Sequence, residues 1–378
     1  FRRIKRYLFI KHAHNSLLNL IAIIRLTYIC MRLFLLPNYT EDLPSLAQIR
    51  LWAEDLGFSS VGVSDIDLSH EHDRFIEWLQ KGYAGDMNYL HRNINKRMHP
   101  DLLVPETHRI ISVTMNYLSP KTNPKQALRD KNKAYIARYA LGRDYHKLMR
   151  KRLAKLANKI SLSIPYHKYR VFADSAPVME KPIGAKAKLG WIGKHTLLLN
   201  KEAGSWFFLG EIFTNAPLPL EETKVTNECG KCSACINVCP TNAIIGPQEL
   251  IANKCISYLT IEHKGIIPED LRKPIGNRVF GCDDCQIFCP WNRTPAHSRE
   301  SDFEPRHNLD DADLLDLFKM DESDFEKMTR GSPLRRINYD QWQRNLAIAI
   351  GNSDAGPQAT QILSERLKFC SEMVAEHI

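Results

Sequence analysis

The chain has 378 residues, of which 44% are hydrophobic and 25% are charged. This length and composition predict two or three globular domains with buried cores and argue against a disordered chain. The formal net charge of +9 favours an anionic partner, such as nucleic acid or membrane lipid, although a basic surface can also serve only solubility.

The first forty residues are basic and apolar, because no Asp or Glu precedes Glu41. The stretch 16–36 is apolar but carries Arg25 and Arg32 within it. A membrane-spanning helix needs about 20 apolar residues with few or no charges. We therefore interpret this stretch as an upstream extension, a targeting-like segment or an interfacial helix, with Met31 as a candidate start, and we expect no stable membrane insertion.

From Glu41 onward the pattern is typical of an α/β protein. Apolar residues at helical spacing predict a helix over residues 46–56. Strands are predicted at residues 59–63, 109–115 and 169–173, and a hairpin around Gly204 is predicted to join residues 196–200 to residues 206–213. These elements predict an α/β domain before the cysteine-rich part of the chain.

A basic helix is predicted over residues 147–159. Leu148, Leu153 and Leu156 recur at roughly helical spacing, with Lys and Arg on the other face. Such a run is usually a solvated helix face, and a binding surface for nucleic acid requires a second, independent reason.

A carboxylate at the end of the third predicted strand is the candidate for proton transfer. Asp174 lies in the sequence FADSAPVMEK, and burial would raise its pKa toward the value that a proton donor needs. The alternative is that Asp174 only caps the next turn. Arg97, in KRMHP, either grips a phosphate or carboxylate or lies in an exposed loop. His195 is either a metal ligand or a structural residue.

Eight of the ten cysteines lie between Cys229 and Cys289, which leaves Cys30 and Cys370 outside. This clustering argues against a disulfide framework and favours a reducing, cytosolic compartment. The first set has the spacing C-x2-C-x2-C-x3-C-P, in which three thiolates bind one [4Fe-4S] cluster and the fourth reaches a second cluster. The first set is Cys229, Cys232, Cys235 and Cys239, and the looser second set is Cys255, Cys282, Cys285 and Cys289.

The crossover rule predicts which cysteines share a cluster. Four thiolates close the corners of a cubane, so eight cysteines supply two clusters. One cluster is assigned Cys229, Cys232, Cys235 and Cys289, and the other is assigned Cys239, Cys255, Cys282 and Cys285. A pair of zinc sites is the alternative, because C-x2-C pairs also bind structural zinc.

The residues after Pro295 are predicted to be helical. Residues 310–328 and 339–350 have helical periods, and Gly351-Asn352 is a typical helix end. Consecutive short amphipathic helices are typical of a HEAT-like array, and a plain helical cap is the alternative.

In this order the motifs resemble those of the tRNA epoxyqueuosine reductases, the cobalamin-dependent iron-sulfur enzymes of queuosine biosynthesis. The resemblance covers roughly residues 39–352. The matching features are Arg97 in KRMHP, Asp174 in DSAPVMEK, GWIGK at 190–194, both cysteine sets, RGSP at 330–333 and RNLAIAIGN at 344–352.

The resemblance implies three domains after an extension over residues 1–38. These are a nitroreductase-like α/β cobalamin-binding domain (39–218), a bacterial-ferredoxin-like domain with two [4Fe-4S] clusters (219–296) and a C-terminal helical, HEAT-like segment (297–378). The clusters would reduce the cobalamin, which would remove oxygen from the epoxide of the modified base, with Asp174 as the proton donor. Cobalamin contacts are expected from Arg97, Asp174, Thr196 and Ser257.

The implied partners are tRNA with epoxyqueuosine in its anticodon loop and an external electron donor, in the cytoplasm. The basic helix over residues 147–159 and the C-terminal helices would bind tRNA phosphates, a contact that is independent of sequence and sensitive to salt. Two other functions remain open at this point: a reductive dehalogenase-like reductase of small molecules, and a non-catalytic iron-sulfur electron carrier.

Overall fold

The computed structural model of the chain describes residues 43–220, 222 and 224–378. The apolar stretch 16–36, Cys30 and the candidate start Met31 lie outside the described residues. Residues 44–378 form one compact unit. None of the helices in the described part of the chain has both the length and the apolar character that crossing a membrane requires.

Strands and helices alternate in the first half of this unit, and helices dominate the second half. The strands are β1 (Ser60–Ser64), β2 (Arg109–Asn116), β3 (Tyr135–Ile136), β4 (Tyr169–Phe172), β5 (Trp191–Ile192), β6 (Leu198–Leu199), β7 (Phe207–Thr214), β8 (Ile244–Gly246), β9 (Glu249–Leu250) and β10 (Arg278–Phe280). The α-helices are α1 (Leu46–Asp55), α2 (Ser69–Gln80), α3 (Ile94–Met98), α4 (Pro100–Leu103), α5 (Pro124–Arg129), α6 (Tyr145–Ser161), α7 (Glu180–Lys186), α8 (Ala234–Val238), α9 (Ile256–Ile261), α10 (Glu269–Ile275), α11 (Asp284–Ile287), α12 (Leu314–Lys319), α13 (Glu322–Thr329), α14 (Tyr339–Gly351), α15 (Gly356–Arg366) and α16 (Glu372–Ala375).

The main sheet has four antiparallel strands in the order β1-β2-β7-β4. β7 is a central strand, because it pairs with β2 along its whole length and with β4 over its second half. Its register places Glu211 directly opposite Ser112 of β2 and Phe172 of β4. The strands predicted at residues 59–63, 109–115 and 169–173 are confirmed, each to within one residue at either end.

The predicted hairpin around Gly204 is wrong. β6 pairs with β5, while β7 joins the main sheet, and only a single bridge links Asn200 to Gly204. The start of β5 can lie this close to the end of β6 because Gly190, just before β5, has no side chain. A Cβ atom there would lie 1.9 Å from the carbonyl oxygen of Leu199.

The two faces of the main sheet are covered by different helices. On one face, Met149 and Leu153 of α6 lie against Gly210 of β7, and α1 packs beside α6. On the other face α7 crosses the sheet so closely that a Cβ atom at Gly62 would lie 1.9 Å from the carbonyl oxygen of Ala187. The sheet is therefore the middle layer of an α/β sandwich.

The predicted basic helix is confirmed as α6. Asp144 caps it by accepting a hydrogen bond from the backbone N–H of His146 at 3.0 Å. Its buried residues recur at helical spacing, whereas Lys147, Lys151 and Lys155 are exposed. The basic side chains therefore face away from the sheet.

The cysteine region and the C-terminal helices share one apolar core. β10 pairs with β3, and Phe280 packs with Phe318 of α12 and Trp342 of α14. Arg344 is completely buried and donates hydrogen bonds to the carbonyl oxygens of Leu259, His263 and Gly265.

The RNLAIAIGN sequence lies at the end of α14, and its polar side chains hydrogen-bond to the cysteine region. Asn345 donates from its amide nitrogen to the carbonyl oxygens of Thr260 and Val279, at 2.8 and 2.9 Å. The helix predicted over 339–350 is confirmed, whereas residues 310–328 form two helices rather than one. The break occurs because Asp321 caps α13 by accepting the backbone N–H of Asp324 at 2.8 Å.

Candidate active site and cysteine array

Asp174 follows β4 in a strained backbone conformation. Its φ of 64° lies in the left-handed region, which costs a non-glycine residue free energy. Its backbone N–H donates to Glu180 at 2.7 Å, and its carboxylate accepts the hydroxyl of Tyr145 at 2.6 Å. The carboxylate is nevertheless 59% exposed. Asp174 is therefore fixed in place while its carboxylate faces solvent.

His146 links Asp174 to a second carboxylate. Its Nδ1 lies 2.6 Å from Asp144 and its Nε2 lies 3.3 Å from Asp174. The hydrogen bonds to Asp144 and then Asp174 raise the pKa of His146 to about 9, despite the opposing effect of burial. The ring is therefore an imidazolium at neutral pH, flanked by two carboxylates.

The predicted rise in the pKa of Asp174 is wrong. The hydrogen bond from His146 and, after it, that from Tyr145 hold the pKa of this carboxyl below its usual value, and they outweigh burial. The alternative that Asp174 caps the next turn also fails, because its carboxylate contacts α6 instead. The raised pKa belongs to Tyr145, whose hydroxyl is buried next to the Asp174 charge.

Glu180 is a second carboxyl group at this site. Burial and then the nearby charge of Asp174 raise the pKa of Glu180 to about 7. It can therefore gain or lose a proton near neutral pH. Glu180, Tyr145 and His146 are not among the site residues predicted from the sequence. Glu180 lies within the DSAPVMEK sequence, but the contact of Tyr145 with Asp174 spans 29 residues and has no local signal.

Arg97 is buried at the end of α3, so the alternative of an exposed loop is wrong for this residue. One of its Nη atoms donates to the carbonyl oxygen of Tyr89 at 3.4 Å, and its buried Nε has no partner among the described residues. Arg336 lies over the Tyr89 ring, 5.9 Å from its centroid, and forms a bidentate pair with Glu262 at 3.0 Å. Arg97 and Arg336 thus lie beside Tyr89, and Arg336 is within electrostatic range of Asp174.

The turn that contains Thr196 lies against the cysteine array. Thr196 has a φ of 72°, and its N–H donates to Gly193 at 2.9 Å. His195 is buried, its Nδ1 accepts the N–H of Leu197 at 3.1 Å, and burial lowers its pKa to about 4. Lys194 donates at 2.8 Å to the carbonyl oxygens of Gly230 and Cys232. The GWIGK turn thus supports the first cysteine loop.

Four of the predicted cysteine ligands line one cavity of about 240 Å³. Its sulfur-bearing residues are Cys229, Cys232, Cys235 and Cys289, and its wall also includes His195 and Trp291. Three consecutive thiols of the first set thus meet the last cysteine of the second set. The soft sulfur donors fit an iron-sulfur cluster, and the backbone N–H groups of Trp291 and Asn292 point to the Cys289 sulfur.

The other four cysteines lie near one another. Cys255 is within electrostatic range of Cys239, Cys282 and Cys285. The N–H of Ala243 donates to the Cys239 sulfur at 3.2 Å. Burial raises the pKa of Cys255, Cys282 and Cys285, so a metal must displace their protons on binding.

Ser257 lies beside the group formed by Cys239, Cys255, Cys282 and Cys285. Its backbone N–H, like that of Tyr258, points to the Cys255 sulfur. Among the residues that the structure describes, neither Ser257 nor Thr196 forms a hydrogen bond with Asp174 or Arg97. Arg97 and Asp174 are both within electrostatic range of Tyr89, whereas Ser257 and the turn that contains Thr196 lie at the cysteine array.

Two family models match the chain. One is described as "Epoxyqueuosine reductase QueG, DUF1730" and matches residues 97–175. The other is described as a 4Fe-4S double cluster binding domain and matches residues 228–292. The second match spans all eight clustered cysteines and favours iron-sulfur clusters over the zinc alternative. Iron-sulfur clusters are therefore the metal groups of the array.

Relatives named epoxyqueuosine reductase align with most of the chain. The protein of Pseudomonas aeruginosa is 51% identical and the alignment covers 89% of this chain and 94% of the relative. The Escherichia coli K12 protein is 49% identical, with 89% of each chain covered.

Solved structures of similar proteins have the same fold. The epoxyqueuosine reductase of Bacillus subtilis, solved with its catalytic aspartate loop swung out of the active site, has a TM-score of 0.79 at 26% identity, with 88% of each chain covered. A reductase solved with an epoxyqueuosine-modified tRNA-Tyr stem loop has a TM-score of 0.75 at 25% identity, with 88% of this chain and 96% of that chain covered.

Proposed function

The chain belongs to the epoxyqueuosine reductase family, and from this membership we infer that it is an oxidoreductase that reduces epoxyqueuosine to queuosine in tRNA. The observation that carries the proposal is the Asp174 carboxylate, held at a solvent-facing site by Tyr145 and His146 in the same compact unit as the cysteine array. The net reaction takes two electrons and two protons and yields an alkene and water.

The cysteine array would hold two [4Fe-4S] clusters, which would supply electrons to the site one at a time. We assign Cys229, Cys232, Cys235 and Cys289 to one cluster and Cys239, Cys255, Cys282 and Cys285 to the other. The shared cavity supports the first set. Backbone N–H groups that point to Cys239, Cys255 and Cys289 favour the thiolate form of these ligands.

Protons reach the substrate from Asp174, which we assign as the proton donor. Tyr145 and the His146 imidazolium both contact the same Oδ2 atom, so they hold the carboxylate in place and control its pKa. His146 lowers the resting pKa of Asp174, so protonation of Asp174 requires a change at His146 or the arrival of the substrate. The geometry therefore favours a donor that is loaded when the site is covered.

We propose cobalamin as the second cofactor, at the site that Asp174 and Arg97 share. The buried Nε of Arg97 has no partner within the described ranges and is free to bind an acceptor on such a group. If bound there, cobalamin would supply a low-valent cobalt as the reductant beside Asp174 and Arg97. Thr196 and Ser257 would contact it from the side of the array.

The tRNA would lie across the basic face of α6 and the C-terminal helices. Lys147, Arg150, Lys151 and Lys155 are exposed, and none of them forms an ion pair with another described residue. Such charges bind phosphates without reading sequence. Because tRNA modification takes place where tRNA is made and used, we place the protein in the cytoplasm.

We also propose the domain division that the sequence suggested. Residues 39–218 would form a nitroreductase-like α/β domain, residues 219–296 a ferredoxin-like domain and residues 297–378 a HEAT-like segment, with residues 1–38 as an extension. The main sheet, which ends at Thr214, supports the first boundary. The apolar core that contains Phe280 and Trp342 joins the last two parts and also includes Ile136 and Leu141 of the first.

Anaerobic turnover of tRNA that bears epoxyqueuosine tests this function. The iron-replete protein is given a strong reductant, with and without added cobalamin, and the nucleosides are analysed by mass. We expect the modified nucleoside to lose the mass of one oxygen atom only when cobalamin is added. Failure of iron-replete, cobalamin-loaded protein to form any queuosine would refute the proposal.

A further inference from the structure

Glu211 is a completely buried carboxyl group on the central strand of the sheet. Neither of its carboxyl oxygens has a hydrogen-bond partner in the described part of the chain. A buried carboxylate without a partner is strongly disfavoured, so Glu211 must carry its proton at neutral pH. Burial, then Glu180 and Asp174, raise its pKa well above the usual value.

A row of buried oxygens extends from Glu211 along β2. Ser112 lies directly opposite Glu211, and Thr114 and Asn116 follow at intervals of two residues, so all four side chains lie on the α7 face. Ser112 Oγ, Thr114 Oγ1 and Asn116 Oδ1 are each buried without a partner among residues 43–220, 222 and 224–378. Buried polar atoms of this kind are usually satisfied by ordered water.

The row lies between a cavity and the Asp174 site. At its outer end, where β2 ends, Asn116 lines a cavity of about 990 Å³, whose wall also includes Ala53 of α1 and Lys155 of α6 from the other side of the sheet. At its inner end, Glu211 interacts with Glu180, which accepts the N–H of Asp174 at 2.7 Å. Residues two apart on a strand are about 7 Å apart, a distance that one bridging water spans.

Few charged groups face Glu211. Glu180 and Asp174 interact with it directly, and Lys181 and His146 act on Glu180. At the level of Glu211, β2 and β1 contribute only Ser112 and Gly62, and β4 contributes Phe172. Glu211 and Glu180 are thus the two carboxyl groups that connect the buried oxygens of β2 to Asp174.

We propose that Glu211 is a proton-relay residue, which passes protons from the cavity at Asn116, along water ordered by Thr114 and Ser112, through Glu180 to Asp174. The proposal rests on the function proposed above. A bound tRNA and cofactor would cover the exposed carboxylate of Asp174, so protons for the covered site must arrive through the protein.

The proton balance explains the need for a relay. Reduction breaks both C–O bonds of the epoxide, forms the C=C bond and releases the oxygen as water. The external reductant supplies two electrons through the clusters, and both protons end on that oxygen. Asp174 carries one proton at a time, so it must be reloaded once before the product leaves. Glu211 reloads it through Glu180 and regains its own proton from the cavity.

The test is Glu211→Gln, which keeps the shape and neutrality of the protonated side chain. We expect kcat to fall on the order of 10-fold, the low end of the range for lost acid–base catalysis, with an unchanged KM for tRNA and unchanged iron content. The loss should grow with pH, and the solvent deuterium isotope effect on kcat should increase. Wild-type kcat and isotope effect in E211Q would overturn the relay.

Infrared spectroscopy of the resting protein gives a readout that does not depend on turnover. The wild-type protein should show the band of a buried, protonated carboxylic acid at neutral pH, and E211Q should lack it. Absence of the difference would overturn the proposal. If the wild-type protein shows the band but makes no queuosine, the proposed function fails and the protonated state of Glu211 stands.

Ser64→Ala is the matched control for Ser112→Ala and Thr114→Val. The Ser64 hydroxyl is also buried without a described partner, but Ser64 pairs with Ile110, on the side of Ser112 away from Asn116. We expect the two variants in the row to slow turnover and increase the isotope effect, and S64A to resemble the wild type. Equal slowing by S64A would mean that packing, and not proton transfer, is disturbed.

Discussion

In the cysteine array the groups that hold sulfur are backbone amides, whereas in the Asp174 site the groups that hold the carboxylate are side chains from other elements. Ala243 and Ser257 donate their N–H groups to sulfur close by in sequence. Asp174 depends instead on Tyr145 and His146 of α6 and on Glu180 of α7.

The difference determines how each region responds to substitution. Loss of a thiolate removes a ligand that no neighbour replaces, so the array should fail completely. Loss of a side chain around Asp174 changes the pKa or the position of the carboxylate, so that site should respond by degrees. Four variants, three single and one double, test the roles of these regions and of the basic helix, from the largest expected effect to the smallest.

Cys289→Ser should abolish turnover. It removes the ligand that closes the cavity of the first three cysteines, so the protein should lose about half of its iron and the corresponding visible absorbance. Cys370→Ser, outside the array, is the matched control and should retain both iron and activity. Full iron in C289S would show that the crossed ligand assignment is wrong.

Asp174→Asn should lower kcat by about 10²- to 10⁴-fold, the range for a lost general acid, while the iron content stays at the wild-type level. The measurement is single-turnover formation of queuosine, with iron determined in the same sample. Ser175→Ala, at the exposed neighbouring position, serves as the control. An electron carrier would keep its activity in D174N, so an unchanged rate would contradict the assignment.

His146→Gln should remove a pH-dependent part of the stability. The raised pKa of His146, about 9 against 6.5 in the unfolded chain, stabilises the fold fully below about pH 6.5, and this contribution is lost as the pH rises through about 9. The difference in unfolding free energy between wild type and variant should therefore shrink by up to roughly 3 kcal/mol over that window.

Denaturant unfolding at several pH values measures this difference. His91→Gln, at an exposed position, is the control and should follow the wild-type pH dependence. A constant difference between wild type and H146Q from pH 6 to pH 10 would mean that the His146 ring is not charged in the folded protein.

The double substitution Lys147→Gln and Lys151→Gln should have the smallest effect. It should weaken tRNA binding several-fold at low salt and reduce the slope of log affinity against log salt by about 1 to 2. Lys121→Gln is the control, because Glu304 already pairs with Lys121 at 2.8 Å. An unchanged salt slope would place the tRNA elsewhere.

The contrast between the regions also explains what the sequence could predict. Cysteine ligands at fixed local spacing predict the array, and the buried run of β2 and the apolar stripe of α6 predict these elements. The hairpin at Gly204 was wrong because β7 has the apolar pattern of any strand, and nothing local says that its partners are β2 and β4.

The Asp174 site was predicted only in part for the same reason. Its motif identified Asp174, but the direction of the pKa shift depends on His146, which lies in another element. Glu211 was not predicted as a functional residue, because a single carboxylate in an apolar strand indicates no function by itself. Only the strand pairing shows that it lies opposite Ser112. Long-range pairing therefore limited the prediction.

The position of Asn345 late in the chain affects when the cysteine region can fold during synthesis. The amide of Asn345 bridges the carbonyl oxygens of Thr260 and Val279, which belong to the segments that carry Cys255 and Cys282. A ribosome releases these segments well before residue 345, so the nascent cysteine region lacks the residue that joins its halves. Iron loading should therefore be completed late in synthesis, once α14 has emerged, and a chain that stalls before this helix would expose its thiols to oxidation.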